Sequence, residues 1–451
     1  MKKEIKRVLI ISPNFPPVNS ADMHRVRHSL PYFKELGWEP VVIAVEEKYV
    51  ESYSLDALLL KTIPEDIEIH KIKALDVRYT RKLGLGSLSL RSYFYFQKKG
   101  DELLRQRVFD LVYFSTTSFH VMALGRRWKK KFGVPFILDI QDPWRSDFYL
   151  DKPASERPPK FFISYNIDKY LEARTLPVTD GIISVSKGYN DVFMQRYTNL
   201  VKEQFRVIPF GASYYDFEIM KRFVTGPGHV ALSGDKRNIV YIGRGGHDMK
   251  FALQIIFQAF KKGLHTDPDL FAGVHFWFIG TSYAPPGTGQ QTILPLAKEL
   301  NIGQFVTEIP DRIPYFESLF LLQKADILLV PGSTDTAYTA SKIYPYIITG
   351  KPLLAVFNSS SSVADLLSEI GFGDLVRFDP PFILSDGYVE ECWIALRKLL
   401  GKDINGQNVD TTAFEPYTAY ARTREQVTFF NEVVAKKNEA ISDHNDTPDT
   451  V

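Results

Sequence analysis

Short apolar runs alternate along this chain with longer stretches in which apolar residues recur every three or four positions. The first run, 8–12, reads Val-Leu-Ile-Ile-Ser, and six more follow in the first half, at 40–45, 67–72, 111–115, 136–140, 181–185 and 205–209. Helical patterns lie between most of them, at 24–36, 91–107, 119–132 and 163–176. The second half repeats the scheme, with runs at 238–242, 274–279, 305–307, 326–330, 352–356 and 375–378. Its helical patterns fall at 249–262, 291–300, 315–324, 341–349 and 362–370. Strands that are apolar throughout, separated by helices, predict parallel sheets covered on both faces. The fold class is therefore α/β, with two successive Rossmann-like, doubly wound domains.

The first domain is predicted over 1–210 and the second over 238–411. Residues 211–237 between them are weakly periodic, carry Gly226-Pro227-Gly228, and read as a linker. A last helical pattern spans 415–436, and the polar, Asp-rich tail 438–451 is expected to be disordered.

Composition narrows the function classes. The chain has 451 residues, 45% of them hydrophobic and 24% charged, as in soluble globular proteins. Lys plus Arg number 55 against 53 Asp plus Glu, a net charge of +2, so there is no global footprint for nucleic acid. A single cysteine, Cys392, allows no internal disulfide and fits a reducing compartment. The opening apolar run is too short for a signal peptide or a membrane span. A cytoplasmic location is expected, with membrane contact only peripheral.

Three strand ends carry candidate chemistry. At 238–250, an apolar strand ends at Gly243, a turn presents Arg244 and Gly245, and a helix begins near Lys250. Ligands of open α/β sheets bind beyond the carboxyl ends of the strands. A planar fork at Arg244 and a mobile point charge at Lys250 suit the two phosphates of a diphosphate. An ordinary solvated turn with two surface cations would read the same. At 326–342, a strand gives way to a hydroxyl-rich loop that enters a helix at Ser341-Lys342. Free N–H groups there would form an anion site, and Lys342 in a first helical turn sits against the dipole unless an anion is bound. A surface lysine beside a capped helix is the alternative. At 135–145, an apolar strand runs into Asp139, Gln141, Asp142, Trp144 and Arg145. Asp142 there can serve as a base or orient an acceptor hydroxyl, and Trp144 can offer a face to a sugar ring. A turn opened by Asp142 before Pro143 explains the same residues. His120, after another strand, reads either as a cleft residue or as a hydrogen-bond partner at a helix start. No cysteine cluster or histidine pair suggests a metal.

In order along the chain, these segments resemble glycosyltransferase family four, the retaining GT-B enzymes that include bacterial polysaccharide and O-antigen transferases. The resemblance covers most of 5–435. It runs from Ser12-Pro-Asn-Phe-Pro-Pro17 through Leu138-Asp-Ile-Gln-Asp-Pro-Trp144 to Gly243-Arg244, Lys250, Ser341-Lys342, Tyr346 and Gly350-Lys-Pro352. It implies two domains facing a central cleft, with the helix at 412–437 packing back on the first. It implies a metal-independent hexosyltransferase with no cofactor, taking a UDP- or GDP-linked sugar to a glycan or lipid-linked acceptor with retention. Arg244 and Lys250 would hold the diphosphate. Gly243, Gly245, Ser341, Lys342 and Tyr346 would line the donor site, and His120, Trp144 and Asn19 the acceptor side.

The family's paired glutamates would fall at Ala337 and Pro345, and neither is acidic. That departure keeps a second reading open, a non-catalytic GT-B protein that binds a nucleotide or glycan. Finally, Arg126-Arg-Trp-Lys-Lys-Lys131 puts five cations and a tryptophan on one helix. Together with the basic, aromatic stretch 78–107, it predicts a peripheral contact with anionic membrane.

Overall fold

The computed structural model describes residues 5–50, 55–81, 86–158, 160–285, 287–335, 342–401 and 409–445, with 440–445 as backbone alone. They form two compact units, Met1–Gly211 with Ala419–Val451, and Ala212–Thr418.

The first unit holds seven parallel strands: β1 (Lys6–Ile11), β2 (Trp38–Val45), β3 (Glu68–Ile72), β4 (Leu111–Ser115), β5 (Phe136–Ile140), β6 (Gly181–Ser184) and β7 (Phe205–Val207). Their order across the sheet is β3-β2-β1-β4-β5-β6-β7. The central strand β1 pairs on one side with β2, Val8 opposite Pro40, and on the other with β4, Val8 opposite Leu111. The second unit repeats the winding with β8 (Arg237–Ile242), β9 (Val274–Ile279), β10 (Val306–Ile309), β11 (Ile327–Pro331), β12 (Leu353–Asn358) and β13 (Asp374–Phe378), ordered β10-β9-β8-β11-β12-β13. Every pairing is parallel, and the inner strands are buried along nearly their whole length, as continuous Val, Ile and Leu runs demand.

In each sheet the winding reverses beside its first strand, between β1 and β4 and between β8 and β11. Crossovers on the two sides of such a point leave in opposite directions and open a crevice at the strands' carboxyl ends. The β1 crevice receives Asn14, Asp22, Thr116 and Gln141; the β8 crevice receives Gly243, Arg244 and Ser333.

Two expectations about segments change. Residues 211–237, read as a linker, contain the helix Tyr214–Phe223, capped by Ser213, whose Oγ accepts the Asp216 N–H at 3.3 Å. Phe217, Ile219 and Met220 bury its inner face, and Tyr315 donates to Asp216 at 2.6 Å. The cap and the apolar face, not the flanking glycines, decide the structure there. The tail expected to be disordered from 438 is helical as far as 445, because the helix Ala419–Asn445 continues through it. Extending a helix already nucleated on a core costs little. Residues 446–451 lie outside the described residues.

The helix Ala419–Asn445 packs within the first unit. Val427, Phe429, Phe430, Val433 and Val434 join Phe33, Trp38 and Tyr113 in one core layer. Phe430 meets the rings of Trp38 at 5.5 Å and Tyr113 at 5.0 Å, and Gln426 Nε2 donates to the Tyr113 hydroxyl at 2.6 Å.

Candidate functional site

The second unit builds its site on the turn after β8. Gly243 N–H donates to Ile279 O at 2.9 Å and Gly245 N–H to Thr281 O at 2.7 Å, which fastens the turn to the end of β9. Tyr241 donates its hydroxyl to Arg244 O at 2.8 Å. Tyr346 is buried and reaches across from the helix Ile343–Thr349; its hydroxyl accepts Ile242 N–H at 2.8 Å and donates to Ile242 O. The fold thus uses Tyr346 to hold the strand end.

Arg244 makes a two-pronged pair with Asp248, Nη1 to Oδ1 at 2.9 Å and Nη2 to Oδ2 at 2.7 Å. Ser333, at the end of β11, donates its Oγ to Asp248 Oδ2 at 2.5 Å, and Thr334 N–H donates to Asp248 O at 2.9 Å. The Arg244 guanidinium, aided by Ser333, draws the Asp248 carboxyl down to about 2. Asp248 therefore stays ionised and holds Arg244 in place.

Lys342 is the second cation of this crevice. Its ammonium donates to the Tyr241 hydroxyl at 2.8 Å and lies 5.0 Å from the centre of that ring. It packs so closely under Gly243 that any side chain at 243 would collide with it. Among the described residues no carboxylate lies within ion-pair distance of it. Burial, and then the charges of Arg244 and Arg312, lower its pKa to about 7, against a small opposing pull from Asp248. Arg312 stands beyond β10, 4.0 Å from the centre of the exposed Tyr283 ring. Two arginine charges thus act on Lys342 against one opposing carboxylate, Asp248. Such a concentration of positive charge at a strand-end crevice favours a polyanion.

Of the other predicted donor residues, Lys250 is the exposed first residue of the helix Lys250–Thr266. Gly243 and Gly245 form the turn itself. Ser341 lies outside the described residues, as does Ala337. Sequence reasoning paired Arg244 with Lys250; the lysine that the structure packs beside the Arg244 turn is Lys342. Arg312 and Asp248 went unread, since their relevance depends on neighbours from other strands.

In the first unit, Asp22 lies at the start of the helix Met23–Ser29 and accepts from Ser20 Oγ, Asn14 Nδ2 at 3.1 Å, Thr116 Oγ1 at 2.9 Å and Thr117 N–H at 3.2 Å. Buried Asp139 accepts from Ser115 Oγ and Gln141 Nε2, both at 2.7 Å, and pairs with Arg25 at 3.3 Å. Burial, followed by the Asp22 charge, raises the Asp142 carboxyl above its usual range. Asn19 is partly exposed in the loop that precedes Asp22.

On this side the expectation for Trp144 gives way, while His120 takes the hydrogen-bond role that was open to it. His120 has both ring nitrogens engaged, Nδ1 with Ser89 Oγ at 2.6 Å and Nε2 with Asp168 at 3.3 Å. Trp144 is 3% exposed and stacks on Phe119 at 5.9 Å, so its indole packs the interior instead of offering a face to a sugar. The helix Ala123–Phe132 also differs from its reading as a charged, tryptophan-bearing surface. Trp128 is fully buried, stacks on Phe114 and donates to Asp101 at 2.9 Å. Arg127 and Lys131 also bind Asp101, and Lys129 binds Asp180. Asp101 and Asp180 thus take up three of the five cations, while the tryptophan faces the core and Arg126, Arg127, Lys130 and Lys131 stay exposed. In 78–107, Arg91 is likewise buried and spends its guanidinium on the carbonyls of Tyr49, Leu75 and Gly86.

Among the described residues, no group of three His, Cys, Asp or Glu side chains is placed to hold a metal, and no helix is long and apolar enough to cross a membrane.

No protein-family model matches the chain, and no curated protein matches it in sequence. Its structure is similar to that of a UDP-forming α,α-trehalose-phosphate synthase from Burkholderia vietnamiensis, with a TM-score of 0.57 at 12% identity over 96% of this chain and 98% of the other. It is similar to a glycosyltransferase from Rickettsia africae, with a TM-score of 0.53 at 12% identity over 95% and 98% of the two chains. It is also similar to WaaG, a glycosyltransferase involved in lipopolysaccharide biosynthesis, with a TM-score of 0.51 at 15% identity over 95% and 99%. At these identities the likeness is one of fold, and the fold is that of the GT-B glycosyltransferases, two Rossmann-like parallel-sheet domains.

Proposed function

We propose that this protein is a glycosyltransferase that moves a hexosyl group from a nucleoside-diphosphate sugar to a glycan or lipid-linked acceptor. The observation that carries the reading is the Arg244 fork, fixed by Asp248, with the Lys342 ammonium packed under Gly243 at the same turn and the Arg312 charge acting on it. In such a transfer the bond between the anomeric carbon and the β-phosphate oxygen breaks, and negative charge grows on that oxygen. The Arg244 fork and the Lys342 ammonium supply preorganised donors for that charge, with no metal required. Removing one donor of this kind costs ~3 kcal/mol, about a hundredfold in rate. Transfer with retention, membership of glycosyltransferase family four, a UDP or GDP carrier, cytoplasmic action and a part in cell-surface polysaccharide synthesis belong to the same proposal. The sequence resemblance supports them.

The second reading, a GT-B protein that binds a nucleotide or glycan without turnover, is favoured by one observation. Pro345, in the helix Ile343–Thr349, occupies a position where the family carries a glutamate. A panel of UDP- and GDP-linked sugars, assayed for release of the nucleoside diphosphate, separates the two. Turnover of any donor, reduced about a hundredfold in Arg244→Ala, is the expected result. Tight donor binding with no turnover would select the binder instead.

A further inference from the structure

The helix Phe161–Thr175 has fifteen residues, yet only Phe161, Glu172 and Thr175 are buried. A helix is ordinarily fixed by packing its apolar face on a core. Here Phe162, Ile163 and Tyr170 are instead 53%, 63% and 56% exposed, and Phe148, in the preceding loop, is 64% exposed. Phe148, Tyr149, Phe161 and Phe162 form one connected cluster of rings. Phe148 meets Tyr149 at 5.0 Å, Tyr149 meets Phe161 at 5.7 Å, and Phe161 meets Phe162 at 5.3 Å.

Cations sit on these rings. Lys152 lies 5.2 Å from the centre of Phe148, Arg157 5.0 Å from Phe162, and Arg174 4.7 Å from Tyr170. Lys160 and Lys169 are exposed beside them. The acids of the same stretch are mostly occupied: Asp147 by Arg145 and Arg196, Asp168 by His120, and Glu172 by Arg196 and Tyr197. Five cations therefore meet three exposed carboxylates, Asp147, Asp151 and Glu156, of which Asp147 is held by Arg145 and Arg196 and Glu156 lies 4.0 Å from Lys152.

We propose that this aromatic and basic surface of the first unit docks on an anionic lipid bilayer. Water solvates exposed phenylalanine poorly, whereas the headgroup region of a bilayer takes up the rings and leaves the flanking ammonium and guanidinium groups among lipid phosphates. A second copy placed face to face would bring two like-charged surfaces together. An anionic bilayer supplies the opposite charge and the apolar depth at once. The proposal stands on this surface and not on the donor site, so vesicle binding and nucleotide-sugar turnover can each fail while the other persists.

Co-sedimentation of the whole protein with vesicles tests it. Binding should require phosphatidylglycerol, be weak with phosphatidylcholine alone, and fall as salt rises. The triple variant Phe148→Ser, Phe162→Ser, Ile163→Ser should bind at least ~10-fold more weakly. So should Arg157→Gln, Lys160→Gln, Lys169→Gln. All six positions are exposed or partly exposed, and far-UV circular dichroism should show the fold retained. Arg126→Gln with Lys130→Gln, on the other basic helix, should bind as the unaltered protein does. Equal recovery with neutral and anionic vesicles, or full binding by the serine variant, would overturn the proposal. A concentration-dependent dimer that the serine variant abolishes, without vesicle binding, would assign the surface to self-association.

Discussion

Lys342 packs under Gly243 with its ammonium on the Tyr241 hydroxyl, and the charges of Arg244 and Arg312 act on it against that of Asp248, which Arg244 already occupies. Its pKa of about 7 leaves it partly neutral at physiological pH. A diphosphate beside it favours the charged form and raises that pKa. The sign follows directly. Below pH ~7 the ammonium is already charged and donor affinity is at its full value. Above that, binding must also recruit a proton, and affinity falls by up to ~10-fold per pH unit. Titration of UDP or GDP between pH 6.5 and 9 should show this decline, and Lys342→Arg, which stays charged, should flatten it. A pH-independent affinity in the unaltered protein would remove Lys342 from the site. Residue-scale chemistry was only partly legible in the sequence. Arg244 was marked by its place just after an apolar strand. Lys342 was marked by its conflict with a helix start, but its neighbours were not. Arg25 and Asp139, 114 positions apart, could be joined only by the fold. Trp144 looked available because nothing local announces Phe119.

At the scale of elements, each of the thirteen apolar runs overlaps a strand, because strands buried on both faces have no polar side to obscure them. Helices were less evenly legible. The helix Lys187–Arg196 contains Gly188 and buries only Asn190 and Phe193, so it has no apolar stripe to find. The helix Asp386–Leu400 does have one, in Cys392, Ala395, Leu396, Leu399 and Leu400 after the Ser385 cap, and that signal was present in the sequence. The basic helix Ala123–Phe132 shows the opposite failure, since its cations were visible and their partner Asp101 was not. The helix Ala419–Asn445 carries the element-scale prediction. Its Phe429 and Phe430 fill the core beneath β1, β2 and β4. A chain ending after Thr418 would expose that layer, and burying large aromatic side chains is worth several kcal/mol in such a core. That truncation should abolish soluble expression, whereas a chain ending at residue 439 should express and melt as the full chain does. Soluble, cooperatively melting protein from the shorter chain would show that the helix is dispensable.

Taken as a whole, the molecule is two doubly wound units, the first closed by the last helix of the chain. Each has a winding reversal with polar groups at its mouth, but they differ in charge. The first unit gathers Asp22, Asp139 and Asp142, with Arg25 bound to Asp139. The second sets Arg244, paired with Asp248, at the same turn as Lys342, with the Arg312 charge acting on that lysine. Under the proposed function, the anionic donor is proposed to bind the second unit because of that asymmetry. Calorimetric titration of UDP and GDP into the unaltered protein, Arg244→Ala and Lys342→Met, each near pH 7, tests this most directly. Neither substitution removes a large core side chain, so each variant should fold and give a binding isotherm. The expected result is binding of at least one of the two nucleotides, weakened ~10-fold or more in both variants. Unchanged affinity in both variants, or no binding of either nucleotide by the unaltered protein, would contradict the assignment.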